Sequence, residues 1–301
     1  MKLIATADWH YTGERPSSRI DDYVSALRRK ITVITHTAMM EDCVILQSGD
    51  LTDTPFLSYL HFRILSGLLH ESEIYTIYGQ HDLRYRTRGN TPLDALNTVI
   101  PSLHLLENPE PVSLQEGVWL YGCSYGEKVP EITTKGFNIL LIHRMILGKE
   151  KEFWEVEKGY DDGEDFLRKY KFDLIVSGDN HKAHNFSVKS IKSSRHLFNC
   201  GSLMRSRTSQ LDHEPRFYLI DTDTREYEVI KIPIEPSENV FDLETKVKFN
   251  VKNEHLETFI SKLSEGKNFG FKVEDDLNQY ELDNEISSDL IKIRKEWMLP
   301  C

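Results

Sequence analysis

Five apolar runs in this chain close in the same way. Each ends on a short cluster of aspartate, histidine, asparagine or glutamine. These are Asp8-Trp9-His10 after KLIAT, Gly49-Asp50 after DCVILQS, Gly79-Gln80-His81-Asp82 after EIYTIY, His143 after FNILLI, and Gly178-Asp179-Asn180-His181 after FDLIVS. Short branched or aromatic runs bounded by turn residues read as buried strands. Between them, Ile20, Val24, Leu27, Ile31 and Ile34 recur at helical spacing over about residues 18–40, and Leu57, Leu60, Ile64 and Leu68 mark a second helix. Shorter helices are expected at DALNTVI after Pro92 and near residues 165–170. The later runs FSVKSI, HLFNCGS, RFYLIDTD and EYEVIKIPI are spaced like an antiparallel sheet. This pattern predicts an α/β sandwich over residues 1–235, two facing mixed sheets with helices outside. Past Pro236, the runs DLETKVKFNV, EHLETFISKLS and DNEISSDLIKIRKEW predict a strand and two helices. That tail, 236–301, is small for an independent domain and is expected to be an α+β cap.

Composition removes several classes. No apolar run approaches the roughly 20 residues of a membrane span. The amino terminus has no signal-peptide core, so a cytoplasmic protein is expected. Cys43, Cys123, Cys200 and Cys301 are far apart and form no CxxC, so they read as reduced thiols and not as a zinc knuckle. The formal net charge of −11 speaks against nucleic acid. Its distribution speaks differently. From Lys182 to Leu211 there is no Asp or Glu, and Arg84, Arg86 and Arg88 follow directly on the Gly79–Asp82 turn. Both basic stretches start at the strand-end clusters, where Arg84, Arg86, Arg88 and Lys182 can neutralise flanking phosphates. Tyr85 and Trp9 can offer aromatic faces to a base; for Trp9, packing beneath the site is an equal reading. The tail from Pro236 carries nine Lys+Arg against fourteen Asp+Glu and is not a DNA-gripping surface.

In α/β folds, ligands collect beyond the carboxyl ends of strands. The residue types there are imidazole, carboxylate and amide, with no thiolate, a donor set for divalent metals. A glycine before Asp50, Gln80 and Asp179 permits a tight turn. A carboxylate such as Asp50 can bridge two ions about 3.5–4 Å apart, which share an activated hydroxide and clamp a phosphoryl group. Each piece alone is commonplace, since an isolated Gly-Asp is more often a turn or a helix cap. All five together, in order and at strand ends, point to one binuclear site.

This succession resembles the calcineurin-like metallophosphoesterases, whose motifs run D-x-H, GD-x-x-D, GNH-[DE], a lone His, and GH-x-H. Within them the chain looks most like the SbcD-type DNA repair nucleases, through ADWH at residues 7–10, GDLTD at 49–53 and FNCGS at 198–202. The resemblance implies that Asp8, His10 and His181 hold one metal, Asp50 bridges, and Gln80, His143 and Asp179 hold the other. His81 would lie over the scissile phosphate as proton donor, and Asp82 would orient it. His184 competes with His181 for the last ligand role. Two positions depart from the pattern: Gln80 replaces asparagine and Asp179 replaces histidine. The extra carboxylate makes the site harder, favouring Mn²⁺, or Mg²⁺, over Zn²⁺. The implied activity is a metal-dependent DNA exonuclease or endonuclease acting in repair or recombination through a hydroxide held by two metals. A phosphatase or small-nucleotide phosphodiesterase of the same fold, and a non-catalytic DNA-binding scaffold, are the alternatives. Implied partners are DNA, a second copy of the chain and an SbcC-type ATPase; the short carboxyl terminus argues against the last. The helix over 54–70 carries more apolar surface than one buried stripe needs, so it either pairs with a second copy or is fully buried.

Overall fold

The structure, a computed structural model, describes residues 1–83, 85, 87–106, 110–149, 160–189 and 194–242. These lie in one unit, Met1–Leu243. The strands are β1 (Lys2–Thr6), β2 (Val44–Gln47), β3 (Ile74–Thr76), β4 (Leu103–Leu105), β5 (Val112–Gln115), β6 (Val118–Cys123), β7 (Phe137–His143), β8 (Ile146–Leu147), β9 (Asp161–Asp162), β10 (Leu174–Gly178), β11 (His184–Lys189), β12 (Ser194–Asn199), β13 (Arg216–Asp221) and β14 (Tyr227–Lys231). Among them run α1 (Tyr23–Glu41), α2 (Tyr59–Leu69), α3 (Pro92–Val99), α4 (Gly163–Lys169) and α5 (Ser237–Val240).

Two six-stranded mixed sheets form, ordered β14-β13-β1-β2-β3-β4 and β11-β12-β10-β7-β6-β5, with a small β8-β9 pair. β1 to β4 are parallel, and so are β6, β7, β10 and β12. Strand alternation sorts the side chains into layers. Leu3, Ala5, Ile139, Leu141, Leu174 and Val176 fill the space between the sheets. Their neighbours Ile4 and Ile45 face the layer of α1, α2 and α3, while Leu140, Ile142 and Ile175 face α4. Both faces of each central strand are therefore buried, which is why those runs are continuously apolar. The expected sandwich of two mixed sheets flanked by helices is the fold observed.

Local signals set the helix ends. Asp22 caps α1 by accepting from the Ser25 amide, so Ile20 lies outside the helix, 52% exposed. Thr91 and Asp94 form a reciprocal capping box around Pro92 at the start of α3. α2 is rotated from the expected stripe: Leu65 and Leu69 are buried, whereas Leu60 is exposed. β4, β5 and β6 were not anticipated. β6, whose run VWLYGC has the branched and aromatic residues of a strand, lies beside β7 with Val118 and Leu120 turned into the inter-sheet core. Beyond Pro236 the chain stays on the body, with Val240 and Phe241 buried and Phe241 bridged to Arg19. Most of the expected cap, 243–301, lies outside the described residues. Among the described residues no helix is long and apolar enough to cross a membrane.

Candidate metal centre

The parallel strands deliver their carboxyl ends to one side, and the chain leaves β1, β2 and β10 through left-handed backbone. Asp8 (φ 47°), His10 (φ 46°), Asp50 (φ 51°) and Asp179 (φ 82°) all adopt it. A non-glycine residue there costs roughly 1–3 kcal/mol, and such strain gathers at functional sites. The glycines serve two purposes. Gly49 has a positive φ of 86°, the tight turn expected from sequence. Gly79 and Gly178 serve close approach: a Cβ would lie 2.0 Å from Asp50 Oδ1 at one and 2.3 Å from the Ser48 carbonyl at the other.

Through these turns the five motifs converge. His10 Nε2 lies 3.1 Å from His181 Nε2 and 3.8 Å from Asp50 Oδ2. His143 Nε2 lies 3.4 Å from Asp50 Oδ2, and His143 Nδ1 lies 3.9 Å from Asp8 Oδ1. Asp8, His10 and His181 bring ligand atoms within 4.8 Å of one another, and so do Asp8, Asp50 and His143. The Gln80 side-chain amide donates to Asp179 Oδ1 at 3.0 Å, which seats this pair together beside His143. Asp8 belongs to both sets, and Asp50 Oδ2 faces both His10 and His143.

One hydrogen bond and one ion-pair contact orient the two inner imidazoles. His143 Nδ1 donates to the Ser48 carbonyl at 2.7 Å, and His10 Nδ1 meets Asp53 Oδ1 at 3.2 Å. Each imidazole thus presents Nε2 to the centre, the arrangement of a metal-ligating histidine held by its other nitrogen. Asp8 Oδ2, Asp50 Oδ2 and His143 Nε2 are buried without a hydrogen-bond partner. Buried acceptors left open in this way are costly unless a cation meets them, so the residues fit divalent metal. Protein atoms alone leave the charges in tension. Burial pushes Asp8 up to about 6, while for His143 the carboxylates Asp50 and Asp8 outweigh burial and raise it to about 10.

His81 stands at the edge of this centre. Its Nδ1 donates to the Asp53 carbonyl at 2.7 Å, and its ring meets His10 edge-on at 4.7 Å between centroids. Asp82 does not orient it, contrary to the expectation from sequence. The Asp82 carboxylate is fully buried and accepts from the Thr52 amide (2.8 Å), the Thr52 hydroxyl (2.9 Å), the Gly79 amide (2.9 Å) and the Leu51 amide (3.3 Å). Its four acceptor sites are spent tying two metal-side turns together. The main-chain carbonyl of Asp53 supplies the contact assigned to Asp82, while the Asp53 carboxylate, last in the GDLTD run, faces His10.

Residues 1–183 match the sequence profile of the family described as Calcineurin-like phosphoesterase. The chain belongs to that family. Calcineurin-like phosphoesterases are metal-dependent hydrolases of phosphoester bonds, and the convergent histidines and aspartates are candidate metal-binding residues. No curated protein matches the sequence. Among solved structures, TT1561 of Thermus thermophilus is similar at 15% identity and a TM-score of 0.48, over 77% of this chain and 99% of that one.

The remaining expected residues of this phosphoesterase divide. His184 is apart from the centre, its Nδ1 donating to the Lys182 carbonyl and its ring against Phe186. Trp9 is fully buried and donates to the Thr6 hydroxyl, so it packs beneath the site and offers no face to a base. Arg88 is engaged by Glu127 and lies over the Tyr78 ring. Arg84 and Arg86 lie outside the described residues; Lys182 and Tyr85 are exposed. In the acid-free stretch, Arg195 and Arg205 serve backbone carbonyls, whereas Arg207 is exposed. Arg207 borders both the hollow of about 90 Å³ over His10, His81 and His181 and an adjoining groove of about 590 Å³ that also takes in Arg15 and His61.

Proposed function

We propose that this phosphoesterase is a metal-dependent DNA nuclease of the SbcD type, acting in the cytoplasm in repair or recombination. The observation that carries the reading is the groove of about 590 Å³ that leaves the metal centre along Asp53 and Arg207 toward Arg15. It offers room beyond what a single phosphoryl group uses, and it sets Arg15 and Arg207 along its wall beside Glu14 and Asp53, so that cationic side chains can meet the flanking phosphates of a polynucleotide.

Asp8, His10, Asp50 and His181 would hold one ion and Asp50, Gln80, His143 and Asp179 the other, with Mn²⁺ or Mg²⁺ preferred by the oxygen-rich set. When bound, two such ions supply Lewis acidity and an activated water. The protein contributes the rest. Asp53 aims the Nε2 of His10, and the Ser48 carbonyl aims that of His143. His81, anchored through Nδ1, turns its other nitrogen to the departing oxygen and gives it a proton. Arg207 and Arg15, with Arg84, Arg86 and Lys182, neutralise flanking phosphates. Arg88 leaves that set because Glu127 already neutralises it. Exposed Phe56, Tyr59 and Leu60 at the start of α2 support pairing with a second copy and remove the fully buried alternative for that helix. An SbcC-type ATPase is a further candidate partner.

The test is digestion of end-labelled single- and double-stranded DNA across a metal panel, beside bis-p-nitrophenyl phosphate and its mono-ester. Cleavage of DNA and diester is expected in Mn²⁺. Preference for the mono-ester refutes the nuclease reading, and tight DNA binding without cleavage in any divalent metal identifies a scaffold.

A further inference from the structure

Three cations in this protein are placed where burial penalises them. Arg19, Lys30 and Arg205 are 4%, 9% and 4% exposed. They line one cavity of about 290 Å³, together with Arg29, Asp21 and Glu235. Their partners are unevenly shared. Arg19 takes Asp21 bidentately, at 2.8 and 2.7 Å. Arg205 donates only to uncharged acceptors: the Leu211 and Glu235 carbonyls and the Ser237 hydroxyl. Lys30 has a single long hydrogen bond, 3.3 Å to the Leu203 carbonyl, and no ion pair among the described residues. An ammonium carries three donors, so two have no acceptor among the described residues, and Lys30 lines the cavity. Burial, and then the charges of Arg205 and Arg19, push this ammonium down to about 7. A buried cation left uncompensated beside two guanidinium groups is costly.

The cavity lining holds three guanidinium groups and the Lys30 ammonium against two carboxylates, an excess of two positive charges while Lys30 is protonated. We propose that this cavity is an anion-binding site, separate from the metal centre, that takes a dianion of the phosphate class between Lys30 and Arg205. A tetrahedral dianion matches the excess charge, and a guanidinium and an ammonium are the groups that recognise phosphate. The site also has a route to the metals. Lys30 and Arg205 hold the outer side of the loop after β12, whose Leu203 amide donates to the Asp8 carbonyl (3.1 Å) and whose Ser202 amide donates to the His181 carbonyl (3.2 Å). Met204 of that loop lines both this cavity and the hollow at His10 and His181. A bound anion braces the segment against which two ligand-bearing turns rest.

The experiment is calorimetric titration of the full chain with inorganic phosphate in EDTA at fixed ionic strength, for wild type, Lys30→Met and Asp50→Asn. Wild type is expected to bind one phosphate per chain. Lys30→Met should weaken binding by at least about tenfold, and Asp50→Asn should leave it within about twofold. Lys30→Met removes a buried charge at nearly constant volume, so its fold is retained. A tungstate soak of wild-type crystals gives a check independent of any variant, with density expected between Lys30 and Arg205. Unchanged binding in Lys30→Met, loss of binding in Asp50→Asn, or tungstate only at the His10–His143 centre overturns the proposal.

Discussion

Replacing Asp82 with alanine is expected to damage the fold before it damages the chemistry. The carboxylate receives three short hydrogen bonds, from the Thr52 amide, the Thr52 hydroxyl and the Gly79 amide, and a longer one from Leu51. Each buried donor left without a partner costs about 1–3 kcal/mol, so three give about 3–9 kcal/mol in all. Some is returned, because burial and the neighbouring Asp50 push Asp82 up to about 6 and its charge is itself expensive to keep. A net loss of about 3 kcal/mol is a sizeable share of a stability of about 5–15 kcal/mol. With a urea slope of about 2–3 kcal/mol per molar, the unfolding midpoint should fall by about 1 M. Asp82→Asn keeps one acceptor but points an amide N–H at other donors, and should fall about half as far. The measurement is urea unfolding of the metal-loaded protein, with turnover followed in parallel on the folded fraction. A midpoint drop below about 0.3 M combined with turnover as low as that of His81→Ala would refute this account. It would return Asp82 to the part of orienting His81.

His81→Ala should lower turnover by about 10²–10⁴-fold while metal content by elemental analysis stays at the wild-type value; loss of both metals would overturn its assigned role. Asp50→Asn should lose metal from both positions, since Asp50 faces both His10 and His143, and manganese titration by electron paramagnetic resonance reads it directly. Chelating the wild type should lower its stability by about 2.7 kcal/mol for each of the two ions, about 5.4 kcal/mol in all, relative to protein held at about a hundred times the metal dissociation constant, measured by thermal melting. Arg207→Ala should weaken DNA binding and reduce its salt slope by about 1, whereas Arg88→Ala should leave both nearly unchanged, because Glu127 already neutralises that side chain.

The candidate metal centre was legible in the sequence because its potential donors are punctuated. Each follows an apolar run, and a strand can end only where its run ends, so Asp8, His10, Asp50, Gln80, His143, Asp179 and His181 stood out in order. The layered sandwich was legible for a related reason, since strands buried on both faces must be apolar throughout. β6 carries the same signal in VWLYGC, and its pairing beside β7 decides only which sheet it joins. Only the tertiary structure decided the partners of Asp82 and Asp53. Adjacency along the chain says nothing about which of several nearby donors a carboxylate reaches first, and in the fold three backbone amides and a hydroxyl surround Asp82 before His81 does. The fates of Trp9 and Arg88 were decided there too, by the buried space beneath β1 and by a glutamate 39 residues away. Residue type selects the chemistry a site can support; packing chooses which of the eligible side chains remain free to perform it.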